Sequence, residues 1–481
     1  MALLGHRRGR LAWWAWAGLA LAGCDYLTFD VDEDQAAVRV VEPSGSFGSS
    51  GFGSVLAAWR LEDEGGLQGR LAVGAGEGAP VAVYPVWRDG ALGRLDRPLF
   101  DACAPGEAVE CGDASGAAVL GVPAWADGTG ELRTGCVLAT SPSDGFHIFS
   151  CEDSWGVYRP VRTDGGGRAG AAAVALPASA RSDLGVALLG APELGTAGGV
   201  ILLPGGATEP PQALWATDEP PLDQPDAQLG AALAATEASD GSVVVAIGAP
   251  GAEQVLVGRL LPSAAGAVFE LDGCLGPQEA APGFGGVVVL GDFDGDGTPE
   301  LVASAAEEAV GRLPRLWRWS LGAVTGRVGC EPGGPAAPPP DQVVSCDTIE
   351  PVDADVSLVC DGAGFAVAMA AGDLDADDRD ELLVGAPGAA VGATREAGMV
   401  VVLDSDGGSL QPDAARLLYD VAPEEGARLG ASVVAVPSAP GGRPRAEAAA
   451  GAPGANRAFL FLCSGLEGDR PSREDGTDRC L

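Results

Sequence analysis

The chain contains no lysine: all 29 of its basic residues are arginine, against 67 acidic ones. With a formal charge of −38 it offers little from which to build a positive, phosphate-neutralising surface, so nucleic acid is excluded as an expected partner. The acidity suits solubility and metal loops. Histidine is almost absent, with only His6 and His147. A Ser-His-Asp or histidine–metal centre is hard to assemble from so few. His147, within Gly145-Phe146-His147-Ile148-Phe149, reads as a half-exposed strand residue. There is no Gly-x-Ser-x-Gly elbow, no Gly-x-x-x-x-Gly-Lys phosphate loop and no Cys-x-x-Cys pair. Aromatic residues make up 5% of the chain, so its core must be Val, Leu and Ala. The tryptophans beyond the N-terminal segment (Trp59, Trp87, Trp125, Trp155, Trp215, Trp317 and Trp319) are expected to pack between structural units, with Trp317 and Trp319 on one face of a strand.

What the chain has in abundance is glycine, 74 residues, together with 36 prolines, which argues for many turns rather than long helices. The most informative stretch is Gly291-Asp292-Phe293-Asp294-Gly295-Asp296-Gly297-Thr298-Pro299-Glu300, set between apolar runs. Oxygen-bearing residues fall on alternate positions. Calcium takes about six to eight oxygen ligands at roughly 2.4 Å. Asp292, Asp294, Asp296 and Glu300 can supply side-chain oxygens and Thr298 a backbone carbonyl, with Gly295 and Gly297 allowing the bends. A second copy runs from Gly372 to Leu382: Asp373, Asp375 and Asp377 repeat the first three positions, Arg379 takes the carbonyl position and Glu381 the last. There Asp378 stands where the first copy has Gly297, a less comfortable bend. Two calcium sites are therefore expected. Their hard-oxygen donors with no evident activated base point to a structural ion. The turn between the first two strands of the fourth unit offers only Glu237 and Asp240, which leaves a site there undecided, and Ser438–Arg445 in the seventh carries no acidic residue, so no site is expected there.

The tripeptide Gly-Ala-Pro recurs at 190–192, 248–250, 385–387 and 451–453, with a near relative at 78–80 and a degenerate form, Ala139-Thr140-Ser141-Pro142. Each follows an apolar or small residue plus a small one: Phe52-Gly53, Ser115-Gly116, Ala169-Gly170, Leu229-Gly230, Phe284-Gly285, Phe365-Ala366 and Leu429-Gly430. The second members lie 63, 54, 60, 55, 81 and 64 residues apart. Seven units at a period near 60 signal an array of one supersecondary element, and Gly or Pro interrupts every apolar run within about ten residues, as strands require. The wide spacing marks a loop insertion at about 325–362, rich in Pro and Gly around Glu331–Asp341.

The N-terminus resembles a bacterial lipoprotein signal. Arg7, Arg8 and Arg10 precede an apolar run, Leu11–Ala22, that ends in Leu21-Ala22-Gly23-Cys24. That resemblance implies cleavage after residue 23, lipid on Cys24 and attachment to a membrane of the cell envelope through it, at the outer membrane or cell surface rather than the inner membrane. The other ten cysteines fit an oxidising compartment, and nearest-neighbour pairing gives 103–111, 136–151, 274–330, 346–360 and 463–480, although connectivity is not fixed by sequence.

Phe-Gly, an acidic cation loop and Gly-Ala-Pro within one unit resemble the FG-GAP repeat, a family that includes the N-terminal propeller of integrin α subunits. The resemblance covers about residues 47–463. Glu300 and Glu381 depart from the aspartate usual in integrins at that position. It implies an all-β, seven-bladed β-propeller. The last unit lacks an outer strand, and Ala37–Val41, within the tether 24–46, is expected to fill that place and close the ring; residues 464–481 form a polar tail. The implied role is binding, adhesion or scaffolding toward a protein or glycan. The alternative is a polysaccharide hydrolase or lyase of the envelope.

Overall fold

The structure is a computed structural model that describes residues 38–42, 51–60, 67–75, 81–87, 100–101, 118–126, 132–141, 145–150, 156–159, 169–177, 185–204, 211–214, 224–263, 266–305, 314–324, 329–330, 336–351, 358–360, 362, 364–406, 408–438 and 445–461. Cys24 and the signal segment, the tail 464–481, residues 439–444 and the proposed cysteine pairs 103–111, 136–151 and 463–480 lie outside what it describes, as do the side chains of His147, Trp87, Trp125, Trp155 and Trp215. Among the described residues there is no α-helix, only strands and short 3-10 turns, and no helix long and apolar enough to cross a membrane.

Six four-stranded antiparallel sheets are each built from one contiguous stretch of chain, within 55–101, 119–159, 173–213, 232–275, 284–345 and 369–418. In the sixth, a small hairpin at 405–410 interrupts the run before the outer strand Arg416–Leu418. A further four-stranded sheet, here the seventh, combines Ser432–Ser438, Arg445–Ala452 and Arg457–Phe461 with Val38–Val41 from the other end of the chain, Val38 standing opposite Phe461 and Val41 opposite Ala458. Within the segment read from sequence as an inserted loop, Gln342–Ser345 forms the outer strand of the fifth sheet.

First strands of successive sheets lie side by side: Val55–Arg60 on Val119–Ala126, then Ala173–Ala175, Ala232–Glu237, Phe284–Gly291, Met369–Gly372 and Ser432–Ser438, the last of which meets Val55–Arg60. This arrangement is a β-propeller. Ala and Gly dominate several of these first strands, as in Ala173-Val174-Ala175 and Met369-Ala370-Ala371-Gly372, because only small side chains fit where the sheets converge. Several second and third strands are continuously apolar and buried, for example Val243–Ala249 and Met399–Leu403. They do not alternate because both faces are covered by neighbouring sheets. The core is accordingly distributed. One apolar cluster lies between the third and fourth sheets, another between the fourth and fifth, another between the fifth and sixth. Trp317 and Trp319 sit between the fourth and fifth, edge-on to Phe284 at 5.2 and 5.8 Å. Trp59 covers Gly121 of the next sheet. The described tryptophans are thus inter-sheet packing.

The recurrent glycines have one geometric reason. Gly53, Gly170, Gly230, Gly285 and Gly430 adopt φ between 87° and 92°, a region open to glycine. The N–H groups of Gly53, Gly170, Gly230 and Gly430 turn back onto their own sheet: Gly230 donates to Gly248 O and Gly430 to Gly451 O, both at 2.9 Å. The carbonyls point to the preceding sheet. A Cβ on Gly190, Gly248, Gly385 or Gly451 would overlap the carbonyl oxygen of Gly230, Gly285, Gly430 or Gly53. Where the chain lacks that second glycine, a hydroxyl replaces it. Thr140 Oγ1 donates to Gly170 O at 2.7 Å and Ser304 Oγ to Ala366 O at 2.8 Å, both side chains being fully buried.

Gly385→Ala is therefore expected to force two sheets apart and destabilise the fold by about 1–3 kcal/mol. Ser304→Ala, which removes one buried hydrogen bond, should cost about 1 kcal/mol. Melting of the two variants beside the parent protein checks the ranking; an unshifted midpoint for Gly385→Ala would refute the contact.

Candidate metal centre

Two turns on one side of the propeller gather carboxylates. The first joins Phe284–Gly291 to Glu300–Ala305, the second Met369–Gly372 to Glu381–Ala386. Strand pairing of Gly291 with Glu300 and of Gly372 with Glu381 closes each turn at its base and aims the glutamate inward. Asp292, Asp294 and Glu300 place carboxylate oxygens within 4.8 Å of one another, and Asp373, Asp375 and Glu381 do the same.

The turns are tied by their own side chains. Asp292 Oδ2 accepts Gly297 N–H at 2.9 Å, and Glu300 Oε2 accepts Phe293 N–H at 2.8 Å. Glu381 Oε2 likewise accepts Leu374 N–H at 2.6 Å. Asp296 and Asp377, expected as ligands, stand apart from the triads; each accepts the N–H two residues on, from Thr298 at 2.7 Å and Arg379 at 3.0 Å. Both are exposed and act as turn-forming aspartates. Thr298 and Arg379 lie at the expected place in each loop and are half-buried. Gly295 and Gly297 take φ of 74° and 80°, and the second loop forces Ala376 and Asp378 into the same left-handed region at 64° and 68°. A non-glycine residue there costs roughly 1–2 kcal/mol. In the fourth sheet Asp240 is occupied otherwise, accepting Ser242 N–H at 2.9 Å and lying 3.8 Å from Arg259.

Electrostatics point the same way. Burial is the main cause that raises Glu300 to about 7 and Glu381 to about 9, with neighbouring aspartates adding repulsion. Burial also raises Asp373, and takes Asp380 to about 6. Glu300 and Glu381 are only 2% and 4% exposed. Asp292 Oδ1 and Glu381 Oε1 are buried without a hydrogen-bond partner. Crowded, desolvated carboxylates with orphan oxygens need a positive charge. All the donors are hard oxygens, which fits a hard divalent cation.

Two residues of this region have no place in the motif. Arg318 Nη2 lies 3.6 Å from Glu300 Oε2, with both side chains at most 5% exposed. It partly offsets the buried charge of the first loop. Position 318 stands opposite Val302; the matching position in the second loop, opposite Leu383, is Val402. There a cavity of about 20 Å³ is lined by Leu374, Asp375, Glu381, Val402, Asp404, Arg416 and Leu418. Asp380 bridges the two loops. The sequence held one hint of it, a carboxylate where the first loop has Pro299.

Comparison with known proteins agrees with this geometry locally. Residues 365–403 match the family model described as FG-GAP repeat. The matched stretch contains the second loop and its Gly-Ala-Pro. No curated protein matches the chain. Among solved structures, the β-propeller domain described as Cps50 (Swd1) of Myceliophteria thermophila is similar at 12% identity with a TM-score of 0.40, over 88% of this chain and 97% of that one.

Proposed function

We propose that the protein is a calcium-stapled, seven-bladed FG-GAP propeller, exported and lipid-anchored at the cell envelope, whose rigid faces bind a protein or glycan rather than catalyse a reaction. The observation that carries the calcium part is the pair of carboxylate triads with buried, unpartnered oxygens on Asp292 and Glu381. Calcium bound there would supply charge compensation and cross-link the two ends of each turn, with Asp292, Asp294 and Glu300 holding one ion and Asp373, Asp375 and Glu381 the other. Asp296, Asp377 and the backbone at Thr298 and Arg379 remain available to complete the oxygen shells.

The seven-blade count is supported by the composite sheet that takes its outer strand from Val38–Val41. Closure is supported from three directions. Val41 is fully buried in the cluster between the seventh and first sheets. Arg457 holds Glu42 at 3.0 Å and Glu424 at 2.6 Å. Independently of the N-terminal strand, Ser432 Oγ donates to Gly53 O at 2.8 Å and Asn456 Oδ1 accepts Gly51 N–H at 2.6 Å. A strand exchanged across the seam resists opening because leaving it exposes two sheet edges. The disulfides Cys274–Cys330 and Cys346–Cys360 are formed, in keeping with an oxidising compartment. The signal-like start and Cys24 motivate the lipid anchor.

Calcium at a hundred times its dissociation constant should stabilise the protein by about 2.7 kcal/mol per site. Melting with calcium and with EDTA checks this, and the Asp292→Ala/Asp373→Ala double variant should lose the difference; a parent protein that melts identically in both would sink the metal reading. Deleting residues 36–42 should lower the melting temperature and speed unfolding, whereas an unchanged midpoint would rule out the latch. In a bacterial host that lipidates its exported proteins, Cys24→Ser should move the protein from the membrane pellet to the soluble fraction. Persistence in the pellet would exclude the lipid as its anchor.

A further inference from the structure

The two acidic loops belong to adjacent sheets and touch, and Asp380 makes the joint. Its N–H donates to Asp292 O at 2.9 Å, and its Oδ2 accepts the Asp292 N–H at 2.9 Å. These bonds form a reciprocal pair between one residue of each loop. Asp292 is the first carboxylate of one triad. Asp380 stands between Arg379 and Glu381, the last two oxygen positions of the other loop. Gly295 packs alongside, where a Cβ would lie 3.1 Å from Arg379 Cγ and 3.4 Å from Asp378 O. The second loop is more than a cluster of acids, since Glu381 is 4% exposed and its Oε1 has no hydrogen-bond partner.

We infer that Asp380 couples the two sites, so that calcium in one strengthens the binding of calcium in the other. The inference rests on the calcium reading above. An ion in the second loop requires Glu381 and the Arg379 carbonyl to face it together, which fixes the backbone on both sides of Asp380. The N–H and carboxylate of Asp380 are then fixed as well, and with them the Asp292 peptide. The first site has less freedom left to lose when its own ion arrives, and the same holds in the opposite direction. Repulsion between the ions opposes this. Each ion is wrapped by its own carboxylates, whereas the two hydrogen bonds are direct, so the ordering effect sets the sign.

The test is calorimetric titration of calcium chloride into the EDTA-stripped full chain. Asp294→Ala disables the first site, and binding at the second should weaken roughly 5- to 10-fold. Asp375→Ala disables the second and should weaken the first by the same factor, because coupling is reciprocal. In an Asp380→Ala background the Asp294→Ala effect should shrink to within about 2-fold. Asp380→Asn keeps an oxygen acceptor for the Asp292 N–H and should preserve the coupling. Melting in EDTA establishes that each variant is folded, and the reciprocal pair measures coupling even if Asp380→Ala does not fold. Two ions binding independently in the parent chain would overturn the coupling and leave the calcium sites standing, as would loss of coupling in Asp380→Asn. No calcium uptake by the parent chain would overturn the sites themselves.

Discussion

The structure depends on a close backbone contact repeated from sheet to sheet. The Cα of a Gly-Ala-Pro glycine rests on the carbonyl oxygen of a glycine in the next sheet, at Gly190 on Gly230, Gly248 on Gly285, Gly385 on Gly430 and Gly451 on Gly53. No side chain can stand between them. The same contact sets the separation of neighbouring sheets near the ring centre and thereby the space that the Val, Leu and Ala clusters must fill further out. Thr140 and Ser304 show that what must be preserved is the backbone carbonyl's partner rather than glycine itself. A short hydroxyl side chain can occupy the gap if it donates to that carbonyl. The buried oxygen is then satisfied directly, which offsets the added volume.

Charge is concentrated at the other end of these strands, on one side of the molecule. The turns of the fourth to seventh sheets are linked in series through backbone bonds. Ser239 N–H donates to Gly297 O, Asp380 N–H to Asp292 O and Ala446 N–H to Asp373 O. Two of these turns carry the carboxylate triads. Their buried glutamates, raised to about 7 and 9, are costly to ionise without a cation. The loops differ in how the cost is met. Arg318 beside Glu300 supplies part of the compensation from within the protein; the corresponding place in the second loop is Val402, and Asp404 and Arg416 line the cavity beside Glu381. The second loop also holds Ala376 and Asp378 in left-handed backbone.

The strands, the repeated unit and the two acidic loops were legible in the sequence because each leaves a local signature. Alternating Asp, Gly-Ala-Pro and uninterrupted apolar runs are all readable within ten residues. The pairing of Val38–Val41 with Arg457–Phe461 was legible for a different reason, as the last unit had one strand too few and the N-terminus one too many. What escaped was set by contacts distant in sequence. Arg318 is an ordinary strand arginine until the register places it beside Glu300. Asp380 looks like one more acid in an acidic loop until its partner, 88 residues away, is seen. Asp296 and Asp377 show what spacing alone leaves out, since each also accepts an N–H of its own turn, from Thr298 and Arg379. The strand Gln342–Ser345 was hidden because the Pro-rich stretch before it carries no strand pattern, while its register with Arg315–Arg318 is fixed by the neighbouring strand.

A ring assembled by short backbone contacts has little capacity for graded movement, since a Gly-on-carbonyl approach has no slack and the clusters between sheets are packed on both faces. Change at one turn is therefore transmitted to the next turn rather than absorbed in the core. The bond series from Ser239 through Gly297, Asp292 and Asp380 to Asp373 and Ala446 is the route along which an ordering event at either triad would spread. It spans four consecutive sheets on one side of the ring. A binding surface on that side would be held more firmly when the carboxylates are compensated. The opposite side carries the 3-10 turns of Gly-Ala-Pro, Pro250–Ala252 and Pro453–Ala455, which are braced by Gly251 N–H to Ala227 O and Gly454 N–H to Ala427 O. Carboxylates there stand beside arginines, Glu42 and Glu424 at Arg457 and Glu396 at Arg428, whereas the other side crowds carboxylates against one another.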